Sequence, residues 1–265
     1  MAAPAILALD FDGVLCDGLT EYFQTAWKAY CQLFLDGEEV PPEGLAERFY
    51  PLRPVIETGW EMPLLLYGLQ NGVEDTAVLE NWPEIVQGIL QETVVSSEQA
   101  MAAVDGTRDR WIQTDLEGWL SLHRFYPGVI ERLQQAIAAD VYLLIISTKE
   151  GRFIQALLSK EGVDLPTDRI IGKEIKQPKP KTLRQLQQSP PENVSANAPI
   201  WFVEDRLKTL NKVKAEADLS DITLFLADWG YNTAAEKEKA ANDSRIHLLS
   251  LSQLVREFSE WLSAS

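Results

Sequence analysis

Four acidic residues stand in two close pairs, Asp10-Phe11-Asp12-Gly13 and Glu204-Asp205, and each pair follows a short apolar run, Ala5 to Leu9 and Pro199 to Val203. A third apolar run, Val141 to Ile146, ends on Ser147-Thr148-Lys149, and a short expected strand, Arg169 to Gly172, is followed by Lys173, Lys176, Lys179 and Lys181. In open parallel sheets, ligands bind beyond the carboxyl ends of the strands, where loops from separate strands converge. If these runs are neighbouring strands, four carboxylates gather in one crevice, and they repel one another unless a cation holds them. Hard oxygen ligands suit Mg²⁺. Mg²⁺ commonly engages phosphate oxygens, while an ammonium and a hydroxyl hold the remaining phosphate charge. The chemistry these residue types point to is phosphoryl transfer at a magnesium site.

The elements that must position these groups are legible in the pattern. Ala5 to Leu9 is a short continuous apolar run, as expected of a strand buried on both faces. From Arg124 onward the chain alternates. Helices are expected at 128–139, 151–160, 180–188, 207–217, 233–241 and 252–262, and strands at 141–146, 169–172, 199–203, 222–226 and 246–249. This alternation predicts an α/β fold with a doubly wound, mainly parallel sheet and helices on both faces. Between the first and second strands, residues 17–123 show helical spacing and no convincing strand. Leu19, Tyr22, Phe23, Ala26, Trp27, Tyr30 and Phe34 share one helical face, and 97–120 reads as one long helix. Pro41, Pro42, Pro51, Pro54 and Pro63 predict short or kinked helices in the first half of this stretch. The expected organisation is an α/β core domain of residues 1–16 and 124–265, interrupted by a helical domain of residues 17–123.

Composition removes several classes of partner. The 265 residues carry 24 Lys plus Arg against 40 Asp plus Glu, a formal net charge of −16. Phosphate backbones and anionic membrane surfaces repel such a chain, and no basic run offsets the charge, so neither nucleic acid nor membrane is an expected partner. The longest apolar run, Val141 to Ile146, falls far short of the roughly 20 residues of a membrane span. Met1 to Leu9 lacks the basic region and cleavage site of a signal peptide and reads as a buried strand. Two cysteines, Cys16 and Cys31, are too few for a disulfide framework or a zinc cluster, which favours a reducing cytoplasm.

Asp10-Phe11-Asp12-Gly13-Val14-Leu15 after an apolar strand resembles motif I of the haloacid dehalogenase (HAD) superfamily. Ile145-Ile146-Ser147-Thr148-Lys149 resembles motif II, the lysine of Gln177-Pro178-Lys179-Pro180 motif III, and Phe202-Val203-Glu204-Asp205 motif IV. Phe125-Tyr126-Pro127-Gly128-Val129 is similar to the family's return into the core. Ala227-Asp228-Trp229-Gly230-Tyr231 is similar to a segment of phosphoglycolate-phosphatase-type members. Four motifs in the right order are far more specific than any one. The resemblance implies a Rossmann-like core with an inserted helical cap, acting as a Mg²⁺-dependent phosphatase on a small phosphorylated metabolite. Asp10 would be the nucleophile that becomes an aspartyl-phosphate and Asp12 the acid and base. Ser147 would hydrogen-bond the transferring phosphoryl group, and Lys179 would neutralise charge on it and on Asp10. The metal ligands would be Asp10, the backbone carbonyl of Asp12, and Asp205 with Glu204. Family members that cleave carbon–halogen bonds lack the second aspartate, so Asp12 favours a phosphatase. A phosphomutase sharing the same core residues, or a silent binding protein of the same fold, remains an alternative.

Other readings compete at single positions. Asp10-Phe11-Asp12-Gly13 is not a calcium loop, because Val14 and Leu15 stand where an EF-hand needs Asp or Asn and Gly. Thr148 competes with Ser147 as a helix cap or phosphate donor. The family often has lysine where Gln177 stands, which keeps Lys176 as an alternative to Lys179. Lys179 precedes Pro180, a favoured first helical residue, and so lies at a helix N-terminus. Trp27, Tyr30, Trp60, Trp111 and Trp119 read as packing within the inserted domain. Arg48 and Arg53 read as surface charges, either of which could reach an anionic substrate group. His123 and His247 have no metal-site partners in the pattern. Substrate identity and oligomeric state are not legible in it.

Overall fold

A computed structural model describes residues 3–262 apart from 36 and 38. The chain divides into two compact units, Met1–Asp17 with Arg124–Ser265, and Gly18–His123. The first unit opens with β1 (Ile6–Leu9) and the two-residue β2 (Cys16–Asp17). The second holds α1 (Leu19–Phe34), α2 (Leu45–Leu52), α3 (Glu61–Gln70), α4 (Asp75–Thr93), α5 (Ser97–Thr114) and α6 (Leu116–Leu120). The chain re-enters the first unit through β3 (Arg124–Phe125), followed by α7 (Val129–Ala138), β4 (Tyr142–Ile146), α8 (Gly151–Lys160), β5 (Ile170–Ile171) and α9 (Lys179–Gln188). It ends with β6 (Ile200–Glu204), α10 (Leu207–Lys214), β7 (Thr223–Ala227), α11 (Ala234–Ala241), β8 (Ile246–Leu249), α12 (Leu251–Leu254) and α13 (Phe258–Trp261).

Six strands form one sheet in the order β5-β4-β1-β6-β7-β8, every pair parallel. Strand β1 is central, and all four of its residues are buried. Side chains alternate between faces. Ile6 and Ala8 share a cluster with Leu144, Ile146, Phe202, Leu210 and Leu224. On the neighbouring position of β6, Trp201 meets Phe225, Phe258 and Trp261 at ring distances of 5.1, 5.7 and 5.6 Å. Burial on both faces is why these strands read as unbroken apolar runs.

Three boundaries differ from the pattern. A single helix over 252–262 is replaced by α12 and α13, separated by Glu257 in extended conformation. The break lets Phe258 and Trp261 turn onto the sheet, and the Trp261 indole N–H donates to the Arg256 carbonyl at 3.3 Å. The helix expected over 97–120 stops at Asp115, whose carboxylate accepts from the Gly118 N–H at 2.8 Å and starts α6. The short antiparallel pair of β2 and β3 has no pattern signal, since two residues are too few for alternation to register.

Within the helical unit, the apolar stripe of α1 is core. Trp27 stacks on Tyr30 at 5.1 Å, Tyr30 meets Phe34 at 5.2 Å, and Phe34 meets Tyr67 of α3 at 4.7 Å. Trp119 is buried there as well, whereas Trp60 and Trp111 are half-buried. Glu21 is fully buried but accepts from Thr25, Trp119 and the Nε and Nη2 of Arg108, so its charge is paired. Helix α4 kinks at Asn81, just before Pro83, as proline requires. Arg48 is held by Asp75 at 2.6 Å and by the carbonyls of Leu69 and Val73. Arg53 lies over the Tyr22 ring at 4.7 Å and donates to the Ile56 carbonyl.

Candidate active site

The order of the sheet explains where chemistry can occur. From β1 the chain moves outward to β4 and β5, then returns to β6 on the other side of β1. Strand order therefore reverses at β1, and the crevice beyond the carboxyl ends of β1, β4 and β6 is the topological switch point. Asp10 leaves β1 there, its N–H donating to the Val203 carbonyl of β6 at 2.9 Å. Glu204 ends β6 and Asp205 follows it. Ser147 leaves β4, with its N–H on the Ile171 carbonyl of β5. Parallel pairing of three strands thus brings together residues almost two hundred positions apart.

Asp10, Glu204 and Asp205 are all buried, and each offers one carboxylate oxygen within 4.8 Å of the others. Lys179, from the first turn of α9, places its Nζ 2.9 Å from Asp10 Oδ1 and 2.7 Å from Glu204 Oε2. Burial, followed by the nearby Glu204, pushes the Asp10 carboxyl up to about 7, with Lys179 opposing. Burial and Asp10 push Asp205 up to about 6, and burial also raises Glu204. Burial disfavours the charged form of Lys179, but Asp10 and Glu204 outweigh it and hold the ammonium above the ordinary lysine range. One ammonium among three carboxylates leaves two negative charges when all are ionised.

A divalent cation fits that deficit in charge and in donor type. The Asp12 carboxylate is outside this cluster. It pairs instead with Lys149, whose Nζ is 3.1 Å from Oδ1 and 3.2 Å from Oδ2. Ser147 is buried and its Oγ accepts from the Lys149 N–H at 3.2 Å, whereas Thr148 is exposed. Lys176 is exposed, in left-handed conformation at the end of a short 3₁₀ turn, and does not join the cluster.

The sequence pattern contained the groups that seat Asp205 but assigned them no role. Gly13 has φ +82°, and a Cβ there would lie 2.2 Å from Asp205 Oδ2. A Cβ on Gly230 would lie 2.3 Å from Asp205 Cβ and 2.5 Å from the Gly13 carbonyl. The loop after β7 then closes over the carboxylate. The Tyr231 N–H donates to Asp205 Oδ2 at 2.7 Å, and the Asn232 amide donates to the carbonyls of Asp205 and Ala227. The same loop grips the segment after β1, with the Trp229 indole on the Val14 carbonyl and the Tyr231 hydroxyl on Asp17. The available signal was the Asp228-Trp229-Gly230-Tyr231 string itself, whose glycine is required by close backbone approach.

No family model matches the chain, and no curated protein matches it by sequence. Solved structures do. A protein from Clostridium difficile described as a candidate phosphatase superimposes with a TM-score of 0.59 at 14% identity, covering 96% of this chain and 98% of its own. A haloacid dehalogenase-like family hydrolase from Streptococcus pneumoniae gives 0.55 at 15%, covering 93% and 94%. Protein tyrosine kinase A of Mycobacterium tuberculosis gives 0.54 at 16%, covering 95% and 96%. The chain therefore has the haloacid dehalogenase-like fold, an α/β Rossmann-like core with an inserted helical cap. Similarity at these identities speaks of fold, and its hosts include a protein named for a different phosphoryl transfer, so the reaction has to be argued from the site.

Proposed function

We propose that the protein is a Mg²⁺-dependent phosphatase that hydrolyses a phosphomonoester of a small cytoplasmic metabolite through an aspartyl-phosphate on Asp10. The observation that carries this reading is the buried Asp10–Glu204–Asp205 cluster with Lys179 against it, at the strand ends where Ser147 also emerges. The residue assignments and the division into a core of 1–16 and 124–265 and a cap of 17–123 belong to the same reading. Cys16 and Cys31 are buried free thiols, in keeping with a reducing compartment. Among the described residues, no helix is long and apolar enough to cross a membrane.

Mg²⁺ held by Asp10, Glu204, Asp205 and the Asp12 carbonyl would offset the negative charge that otherwise bars an anionic phosphoryl group from this cluster. In the first half-reaction an Asp10 carboxylate oxygen bonds to phosphorus, the bond to the substrate oxygen breaks, and Asp12 gives that oxygen a proton. In the second, Asp12 takes a proton from water as the water oxygen attacks the aspartyl-phosphate, and the P–O bond to Asp10 breaks to release inorganic phosphate. Ser147 Oγ–H and the Lys179 ammonium hold phosphoryl oxygens throughout.

The test is phosphate release from a panel of phosphorylated metabolites, with Mg²⁺ or with chelator and without any acceptor sugar. Asp10→Asn serves as the blank. Turnover that needs Mg²⁺ and disappears in the variant supports the reading, and free phosphate as product separates it from a phosphomutase. Equal turnover by wild type and Asp10→Asn would remove Asp10 as the nucleophile.

A further inference from the structure

The core divides its acidic groups between two lysines. Lys179 pairs with Asp10 and Glu204 of the acidic cluster, while Lys149 pairs with Asp12. We infer that Lys149 is the positioning residue for Asp12, holding the proton-transferring carboxylate apart from the metal-binding cluster. The inference rests on the phosphatase reading above and deepens it.

Three observations support this assignment. Asp12 lies two residues from Asp10, so without a counter-charge of its own it would be drawn towards any cation in the cluster. As a metal ligand its carboxylate would be lost to proton transfer. The Lys149–Asp12 pair is sheltered, with side-chain exposures of 9% and 16%, so solvent and salt screen it less than a surface pair. Lys149 is also anchored on the backbone side. Its N–H donates to Ser147 Oγ at 3.2 Å, and its carbonyl accepts from the Lys173 N–H at 3.0 Å. The turn after β4 that presents Ser147 therefore fixes where the ammonium stands, and the ammonium fixes Asp12. A residue acting through Asp12 changes the proton-transfer steps and leaves substrate binding alone. A lysine that gripped substrate directly would do the reverse.

The experiment measures kcat and KM for wild type, Lys149→Met, Lys149→Arg, Asp12→Asn and the Asp12→Asn/Lys149→Met double variant. Substrates are an alkyl phosphate, whose leaving oxygen needs a proton, and p-nitrophenyl phosphate, whose leaving group does not. In Lys149→Met, kcat on the alkyl phosphate is expected to fall by about tenfold or more with KM within about twofold, and kcat/KM for p-nitrophenyl phosphate, which reports only the steps up to the phospho-enzyme, should lose much less than kcat/KM for the alkyl phosphate. Arginine should restore most of the loss. The double variant should be no slower than Asp12→Asn alone, because a residue that works only through Asp12 has nothing left to position. A raised KM at constant kcat, equal losses of kcat/KM on both substrates, or additive losses in the double variant each overturn the assignment while leaving the phosphatase intact. No Mg²⁺-dependent turnover by wild type overturns the phosphatase reading and this assignment with it. Should Lys149→Met fail to fold, Lys149→Gln is read by the same criteria.

Discussion

Asp205 owes its place to two residues without side chains. Gly13 and Gly230 approach it from two loops, and the Asp205 side chain fills the space where their Cβ atoms would be, its carboxylate at Gly13 and its Cβ at Gly230. Replacing Gly230 with alanine should push Asp205 out of the cluster and weaken Mg²⁺ binding by at least about tenfold, since a lost carboxylate ligand removes one of three fixed charges. Titration calorimetry would measure this, with circular dichroism as a check on the fold. The matched control is Gly88→Ala in α4, where an added Cβ meets nothing within 4 Å. That change should leave Mg²⁺ binding untouched and stabilise the protein by about 0.5–1 kcal/mol. Equal Mg²⁺ affinities in both variants would mean that Asp205 is not held by this close approach.

Among the elements, α7 carries a cost that its surroundings only partly offset. Arg132 is buried, its Nε and Nη2 find no partner in the structure, and burial lowers its pKa. It has the Phe258 ring 3.9 Å below the guanidinium, the Trp261 ring at 5.8 Å, a long contact with Gln135 and the charge of Glu257 nearby. A cation–π contact is worth about 0.5–2 kcal/mol, while unsatisfied buried donors cost about 1–3 kcal/mol. Arg132→Met keeps the length of the side chain and removes the orphaned donors, so chemical denaturation should find it at least as stable as wild type. A loss above about 1 kcal/mol would show that the guanidinium has partners this geometry does not reveal. The α12–α13 break belongs to the same region, since it delivers Phe258 and Trp261 to Trp201 and to Arg132.

For the molecule as a whole, stability and metal binding are linked through protons. Asp10 and Asp205 have folded values near 7 and 6 against an ordinary value of 3.8. Between about pH 4 and 7 the unfolded chain has released protons that the folded chain still holds, so the metal-free protein should lose stability as pH rises through that window. Mg²⁺ binds the ionised carboxylates and is favoured by the same rise. The gain in melting temperature on adding Mg²⁺ should therefore be larger at pH 7.5 than at pH 5, against a chelator-treated reference at each pH. An equal gain at both would detach the ion from these carboxylates. The net charge of −16 adds self-repulsion, so raising salt should also stabilise the metal-free form.

The periodicity of the chain was enough for its class. Apolar runs of strand length alternating with amphipathic helical segments define a parallel α/β sheet, because burial on both faces leaves little freedom in which residues a central strand can use. The acidic pairs and Ser147 were legible for a related reason, since each follows directly on such a run. Which groups actually meet was decided by the tertiary structure. Lys179 reaches the cluster while Lys176 stays exposed, Lys149 turns to Asp12, and Gly13, Gly230 and Tyr231 close around Asp205. Those relations span from about 25 to almost 200 residues of chain, and they depend on the strand order β4-β1-β6, which a one-dimensional pattern does not encode. The two-residue β2–β3 pair was hidden because two residues leave no alternation to read, and the split final helix because the packing of Phe258 and Trp261 on Trp201 outweighs weak local preference.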